Sequence, residues 1–153
     1  MWIQPEIFGL NLKLKHQECN GRLILTAYDH HKNQLVIDRS DNNNDHETIS
    51  MQISMPNNVT ILLTGKDYIT DSEKLIELVG MSLAGIRFNF NNLEKLAIYH
   101  PDYSSKTSRS LGEYLDLPAR PSLKWNRNGC VTINLFAINP ILYHLNVETK
   151  IQF

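Results

Sequence analysis

Glu47-Thr-Ile-Ser-Met-Gln-Ile-Ser-Met-Pro-Asn-Asn-Val-Thr-Ile-Leu-Leu-Thr64 is the stretch that decides the fold. Ile49, Met51, Ile53 and Met55 alternate with Ser50, Gln52 and Ser54; after Pro56-Asn57-Asn58 the period resumes, with Val59, Ile61 and Leu63 against Thr60 and Thr64. A period of two sends one set of side chains to a buried face and the other toward solvent. A turn between two such runs predicts an antiparallel pair. The segment is expected to belong to a sheet with one dry and one wet face, and it carries no chemistry of its own.

The same period extends outward in both directions. Leu10 to Lys15 and Leu23 to Tyr28 read as strands. The polar break Asp29-His-His-Lys-Asn-Gln34 leads into Leu35-Val-Ile37 and predicts a hairpin. Ser40 to Asp45 is rich in Asn and Asp, which compete with backbone ladders, and is expected to be an exposed loop. The span 70–84 is double-edged. Thr70 and Glu73 form a capping-box pattern, and Leu75, Ile76, Leu78 and Val79 have helical spacing. Val79, Met81 and Leu83 also alternate, and Gly80 and Gly85 interrupt a long helix; the favoured reading is a strand over 76–83. Ile86, Phe88 and Phe90 continue the alternation, Asn91-Asn92 reads as a turn, and Leu96 to Tyr99 as a strand.

From His100 to Pro121 the pattern dissolves into Pro, Ser, Lys, Thr and Arg around one apolar island, Leu111 to Leu117. Irregular segments of this length are often functional or ordered by a partner. Leu123 to Trp125, a turn at Asn126-Arg-Asn-Gly129 and the alternation Val131, Ile133, Leu135 restore order. Asn139-Pro140 begins a candidate short helix, and Lys150 to Phe153 a candidate last strand. Roughly eight to ten short strands, with turns every 8–12 residues or so, predict an all-β, antiparallel two-sheet sandwich or jelly roll with one or two short helices. There is no repeat and no βαβ rhythm, so residues 1–153 are expected to form a single domain.

Composition narrows the function classes. A chain of 153 residues buries about 70% of its unfolded surface on folding and needs no disulfide or metal to do so. Its formal charge of −1 argues against a broad nucleic-acid surface. No apolar run approaches the roughly 20 residues that span a bilayer, and the first residues lack the basic and apolar regions of a signal peptide. The expected compartment is intracellular, with both chain ends docked on the domain or its neighbours. Cys19 and Cys130 read as free thiols, with a single disulfide as the alternative.

Candidate sites are few. Asp67, Asp71 and Glu73 form an acidic cluster with the oxygen chemistry calcium requires, and Asp41, Asn43 and Asp45 form another. Neither has the spacing of an EF-hand loop. His30 and His31 are adjacent, so both could hold a metal only within a turn. The chain has no Gly-x-Ser-x-Gly elbow, no His-Glu-x-x-His and no Cys-x-x-Cys. Tyr68 shares a loop with Asp67 and Asp71, a neighbourhood suited to stacking on a sugar ring. Tyr103, Lys106, Arg109 and Tyr114, in the irregular basic stretch, are the candidate partner-binding residues, with solvated loop as the plain alternative.

Val59-Thr-Ile-Leu-Leu-Thr-Gly-Lys66 and its acidic loop, then Asn128-Gly-Cys-Val-Thr-Ile-Asn-Leu-Phe136 followed by Asn139-Pro-Ile-Leu-Tyr143, carry a resemblance. Together they resemble small jelly-roll proteins of bacteriophage particles, a group related to calcium-dependent carbohydrate-binding modules. The resemblance spans Glu47 to Phe153 and rests on strand pattern, with no catalytic motif to transfer. With the absent catalytic motifs and the long irregular segment from His100 to Pro121, it leads to the expectation of a non-enzymatic structural or interaction protein that oligomerises or decorates a larger assembly, in the virion if viral and otherwise in the cytoplasm. Its partners would be proteins or further copies of itself, with no cofactor, no nucleic acid and no membrane. The alternatives are a carbohydrate-binding module, assisted by calcium at Asp67, Asp71 and Glu73, and a small enzyme with a site built on loops.

Overall fold

A computed structural model of the chain describes residues 7–16, 23–43, 45–54, 58–66, 74–88, 90–104 and 109–135. Strands β1 (Ile7–His16), β2 (Ile24–Tyr28), β3 (Gln34–Leu35), β4 (Ile37–Asn43), β5 (His46–Ser54), β6 (Val59–Thr64), β7 (Ile76–Leu83) and β8 (Ile86–Arg87) come first. Helix α1 (Phe90–Leu96), β9 (Ala97–Pro101), helix α2 (Leu111–Leu115), β10 (Arg120–Pro121), β11 (Lys124–Trp125) and β12 (Gly129–Ile133) follow. All pairings are antiparallel. One sheet runs β11-β7-β1-β5-β4 with β8 beside β7; the other runs β10-β9-β12-β6-β2-β3. This is an all-β two-sheet sandwich with two short helices, and its successive long strands mostly alternate between sheets, as they do in a jelly roll.

One core lies between the sheets. Leu10, Leu12 and Leu14 of β1, Ile49, Met51 and Ile53 of β5 and Leu78, Met81 and Leu83 of β7 face Ala27, Ile61, Leu63, Tyr99, Val131 and Ile133 of the opposite sheet. The other faces carry the alternating polar residues. Asn11 of β1 donates to Ser82 Oγ of β7 at 3.3 Å and accepts from Ser50 Oγ of β5 at 2.7 Å, so one amide crosses three strands.

Several local expectations need correction. The two alternating runs around Pro56 do not pair: β5 lies between β1 and β4, and β6 between β2 and β12. The chain therefore changes sheets between them. Both runs face one core because they line it from opposite sides. The hairpin after Tyr28 stops at Leu35; Val36 is 88% exposed, and Ile37 already belongs to the other sheet. Of the loop expected over Ser40 to Asp45, Ser40 to Asn43 instead pair with β5 as part of β4. Its edge position accounts for its polarity, since charged side chains on an edge discourage further strand addition. Asn91 and Asn92 lie within α1, and Phe90 begins that helix instead of continuing a strand.

The strand over 76–83 forms, and its register explains its helix-like sequence. Lys13 pairs with Gly80 but Leu14 with Leu78, leaving Val79 as the extra residue of a bulge. The inward residues become Ile76, Leu78, Met81 and Leu83, with a gap of three in the middle. Val79, expected to share a face with Met81, falls out of phase.

At one end of the sandwich the inward face turns polar. Glu47 is only 2% exposed, and its carboxylate accepts from Arg39 Nε and Nη2, both at 2.9 Å. His16 Nε2 lies 3.3 Å from the same carboxylate, and Arg39 Nη1 reaches Leu23 O at 3.2 Å. The pair thus closes the core's edge. Because Arg39 is 35% exposed, water screens part of the interaction. Glu47→Gln is expected to lower stability by about 1–3 kcal/mol in urea unfolding, since the bidentate acceptor is lost from a buried position. The double variant Arg39→Met/Glu47→Leu should regain most of that.

Candidate functional site

The segment after β9 is braced far more tightly than its composition suggests. Asp102 is 4% exposed. Its Oδ1 accepts from Ser104 N at 3.0 Å and Ser104 Oγ at 2.8 Å, and its Oδ2 accepts from Arg109 Nε at 2.9 Å. Arg109 Nη2 in turn donates to Ser104 Oγ at 2.8 Å. An Asp followed two residues on by Ser folds locally in this way because the side chain stands in for a backbone acceptor. Ser110 then starts α2 with a reciprocal cap: Glu113 N donates to Ser110 Oγ, and Ser110 N to Glu113 Oε1, both at 3.2 Å. The single-turn helix α2 packs on β12, and Tyr114 is buried there.

Burial opposes the charged form of Asp102, but hydrogen bonds from Ser104 and Arg109 outweigh it and hold the carboxyl below its ordinary value. The sign of the resulting pH dependence follows. A depressed folded value stabilises fully above the ordinary Asp value of 3.8, and this contribution is lost as pH falls through the lower folded value. Asp102→Asn is therefore expected to flatten the acid limb of melting temperature against pH, and to cost about 1–3 kcal/mol at neutral pH.

Next to this brace lies a surface of tyrosine and arginine. Tyr99 of β9 is fully buried, and its hydroxyl donates to Arg127 O and accepts from Arg127 N, both at 2.8 Å. That pair of hydrogen bonds fixes the loop between β11 and β12. The Arg127 guanidinium sits 4.9 Å from the centre of the Tyr103 ring. On the ring's edge, Arg120 Nη1 donates to the Tyr103 hydroxyl at 3.2 Å. Tyr103 is 53% exposed. A flat aromatic is thus held from face and edge by two guanidinium groups on a rigid support.

The same end of the fold holds a nearly buried lysine. Lys66 Nζ donates to the carbonyls of Lys74 and Asn126, joining the end of β6 to the approach to β7 and to the loop before β12. Asn128 completes the joint by accepting from Lys66 N and donating to Lys66 O, each at 3.0 Å.

Of the candidate partner-binding residues, Tyr103 presents its ring to solvent. Arg109 is committed to Asp102, and Tyr114 is buried, which corrects its expected place among the partner-binding residues. Lys106 lies outside the described residues, as do Tyr68, Asp67, Asp71 and Glu73 of the sugar- and calcium-binding reading, together with Cys19 and both chain ends. His30 and His31 sit in the β2–β3 turn with ring centres 3.8 Å apart. Asp45 pairs with His46 at 2.8 Å. Among the described residues no group of three or more His, Cys, Asp or Glu is placed to hold a metal ion. No helix among them is long and apolar enough to cross a membrane.

Sequence reasoning missed Asp102, Arg120 and Arg127 as organisers of this face. Two signals were available: Asp102-Tyr-Ser104, and the Ser110-Leu-Gly-Glu113 capping pattern. Neither points to the guanidinium groups, which arrive from β10 and from the loop between β11 and β12.

Burial pushes the Tyr99 phenol well above its ordinary value. Burial and then the Asp102 charge raise Tyr114, and burial pushes the Cys130 thiol up to about 12. Such a thiol is a small apolar group, not a nucleophile. Comparison with known proteins adds no assignment: no family model, curated protein or solved structure matches the chain.

Proposed function

We propose that this chain is a non-enzymatic structural or interaction protein, a component of a viral particle, that docks on a larger assembly through the Tyr103 face. The observation that carries this reading is the half-exposed Tyr103 ring, held by Arg127 on its face and Arg120 on its edge. Anchors of protein interfaces are enriched in tyrosine and arginine, and a ring held in place before contact loses little conformational freedom on docking. The jelly-roll resemblance supplies the particle setting.

Size-exclusion chromatography with light scattering tests the reading, on the full chain alone and mixed with candidate particle proteins. A self-assembly or complex weakened about tenfold or more by Tyr103→Ala, with the fold unchanged by circular dichroism, is the expected result. An inert monomer in every mixture overturns it.

A further inference from the structure

We infer that the Tyr103 face takes an acidic polypeptide segment, with Arg120 receiving its carboxylate and the Tyr103 ring flanking it. The inference rests on the docking reading and specifies the class of partner.

Arg120 is exposed, and its one side-chain hydrogen bond among the described residues goes from Nη1 to a neutral phenol oxygen. No described carboxylate forms an ion pair with it. A guanidinium has five donors in a planar fork that matches a carboxylate bidentately, and the described residues leave most of this fork to be used. Asp102, which braces the same segment, does not supply the match: Ser104 and Arg109 already occupy both of its oxygens. The connecting residues 105–108 read Ser-Lys-Thr-Ser and contain no carboxylate.

Arg127 adds positive charge at the Tyr103 ring. Among the described residues the face is therefore locally basic, on a chain whose formal charge is −1. The patch is too narrow for a nucleic-acid track, which requires a run of phosphate contacts. The half-exposed ring beside the fork favours a ligand with carbon as well as charge, which a bare anion lacks. Strand addition does not serve here, because edge strand β10 is two residues long and ends in Pro121. Recognition falls to side chains.

The test is a titration of the ¹⁵N-labelled full chain with a short, terminally blocked peptide of glutamate and leucine. A lysine–leucine peptide and inorganic phosphate serve as parallel probes. Shifts centred on Tyr103, Arg120 and Arg127 with the acidic peptide are expected, weaker at high salt and absent with the basic one. Arg120→Gln should weaken the acidic peptide by roughly tenfold or more, and Arg120→Lys, which keeps charge without the fork, should recover only part. Arg87→Gln, at an exposed arginine on β8, should change nothing.

No shifts, shifts centred elsewhere, an equal response to phosphate, or unaltered binding by Arg120→Gln would each overturn the inference. The two readings fail separately. Loss of peptide binding alongside Tyr103-dependent assembly removes the acidic class and keeps the docking face; peptide binding by a chain that never assembles removes the docking function.

Discussion

Trp125→Ala is expected to lower stability by about 3–5 kcal/mol, a large share of the roughly 5–15 kcal/mol that holds a domain together. Trp125 is fully buried, on an edge strand two residues long that pairs with β7 through Ile76. Its indole Nε1 donates to Ser122 O at 2.9 Å. The ring centre lies 6.4 Å from that of Tyr99, at an interplanar angle of 42°, so the aromatic pair joins the two sheets. Alanine removes the ring volume, the cross-sheet contact and the indole donor at once. Trp125→Phe keeps the ring contact and loses the donor, and should cost less than half as much. Urea unfolding followed by circular dichroism measures both. Because Tyr99 also fixes Arg127, the alanine variant should weaken the Tyr103 face as well as the core.

Gly129→Ala should have an effect of comparable size from a single added carbon. A Cβ at Gly129 would lie 2.1 Å from His100 O, 3.1 Å from His100 C and 3.2 Å from Pro101 Cα. These atoms are backbone of β9, which pairs with β12 in register, so no side chain can rotate aside. β12 is also held on its other side by β6. Alanine must therefore separate β9 from β12, at a cost on the order of 3 kcal/mol or more. Separation also disturbs the Asp102 N to Asn128 O bond at the base of the braced segment. Gly9→Ala is the matched comparison. A Cβ there meets nothing within 4 Å, and the change should stay within about 0.5 kcal/mol of wild type.

The legible part of this fold is the part set by local periodicity. Ile49, Met51 and Ile53, or Leu10, Leu12 and Leu14, face inward because a strand places every second residue on one side. Which strands become neighbours is a different kind of fact. The runs around Pro56 line one core from opposite sheets, and a two-residue period is the same whether they pair side by side or face each other. The bulge at Val79 blurs the period itself, turning a strand into a sequence with helical spacing. β4 hides for a third reason: on an edge, Asp and Asn are tolerated where a central strand would exclude them.

The candidate face was legible only at Tyr103. Its exposure is a tertiary outcome, set by the Asp102 brace and by Arg120 and Arg127, which follow α2 in the chain, converging on the ring. Tyr114, similar in sequence context, is buried because α2 lies on β12, and five helical residues give too little amphipathic pattern to show it.

Every placement on this face depends on how the strands are partitioned between the two sheets, and interstrand proton contacts in nuclear magnetic resonance spectra test that partition directly. The account predicts backbone contacts from Asn11 to both Ser50 and Ser82, from Ala27 to Ile61, and from Val131 to both Tyr99 and Ile61. A continuous hairpin ladder joining residues 49–54 to residues 59–64 would contradict it.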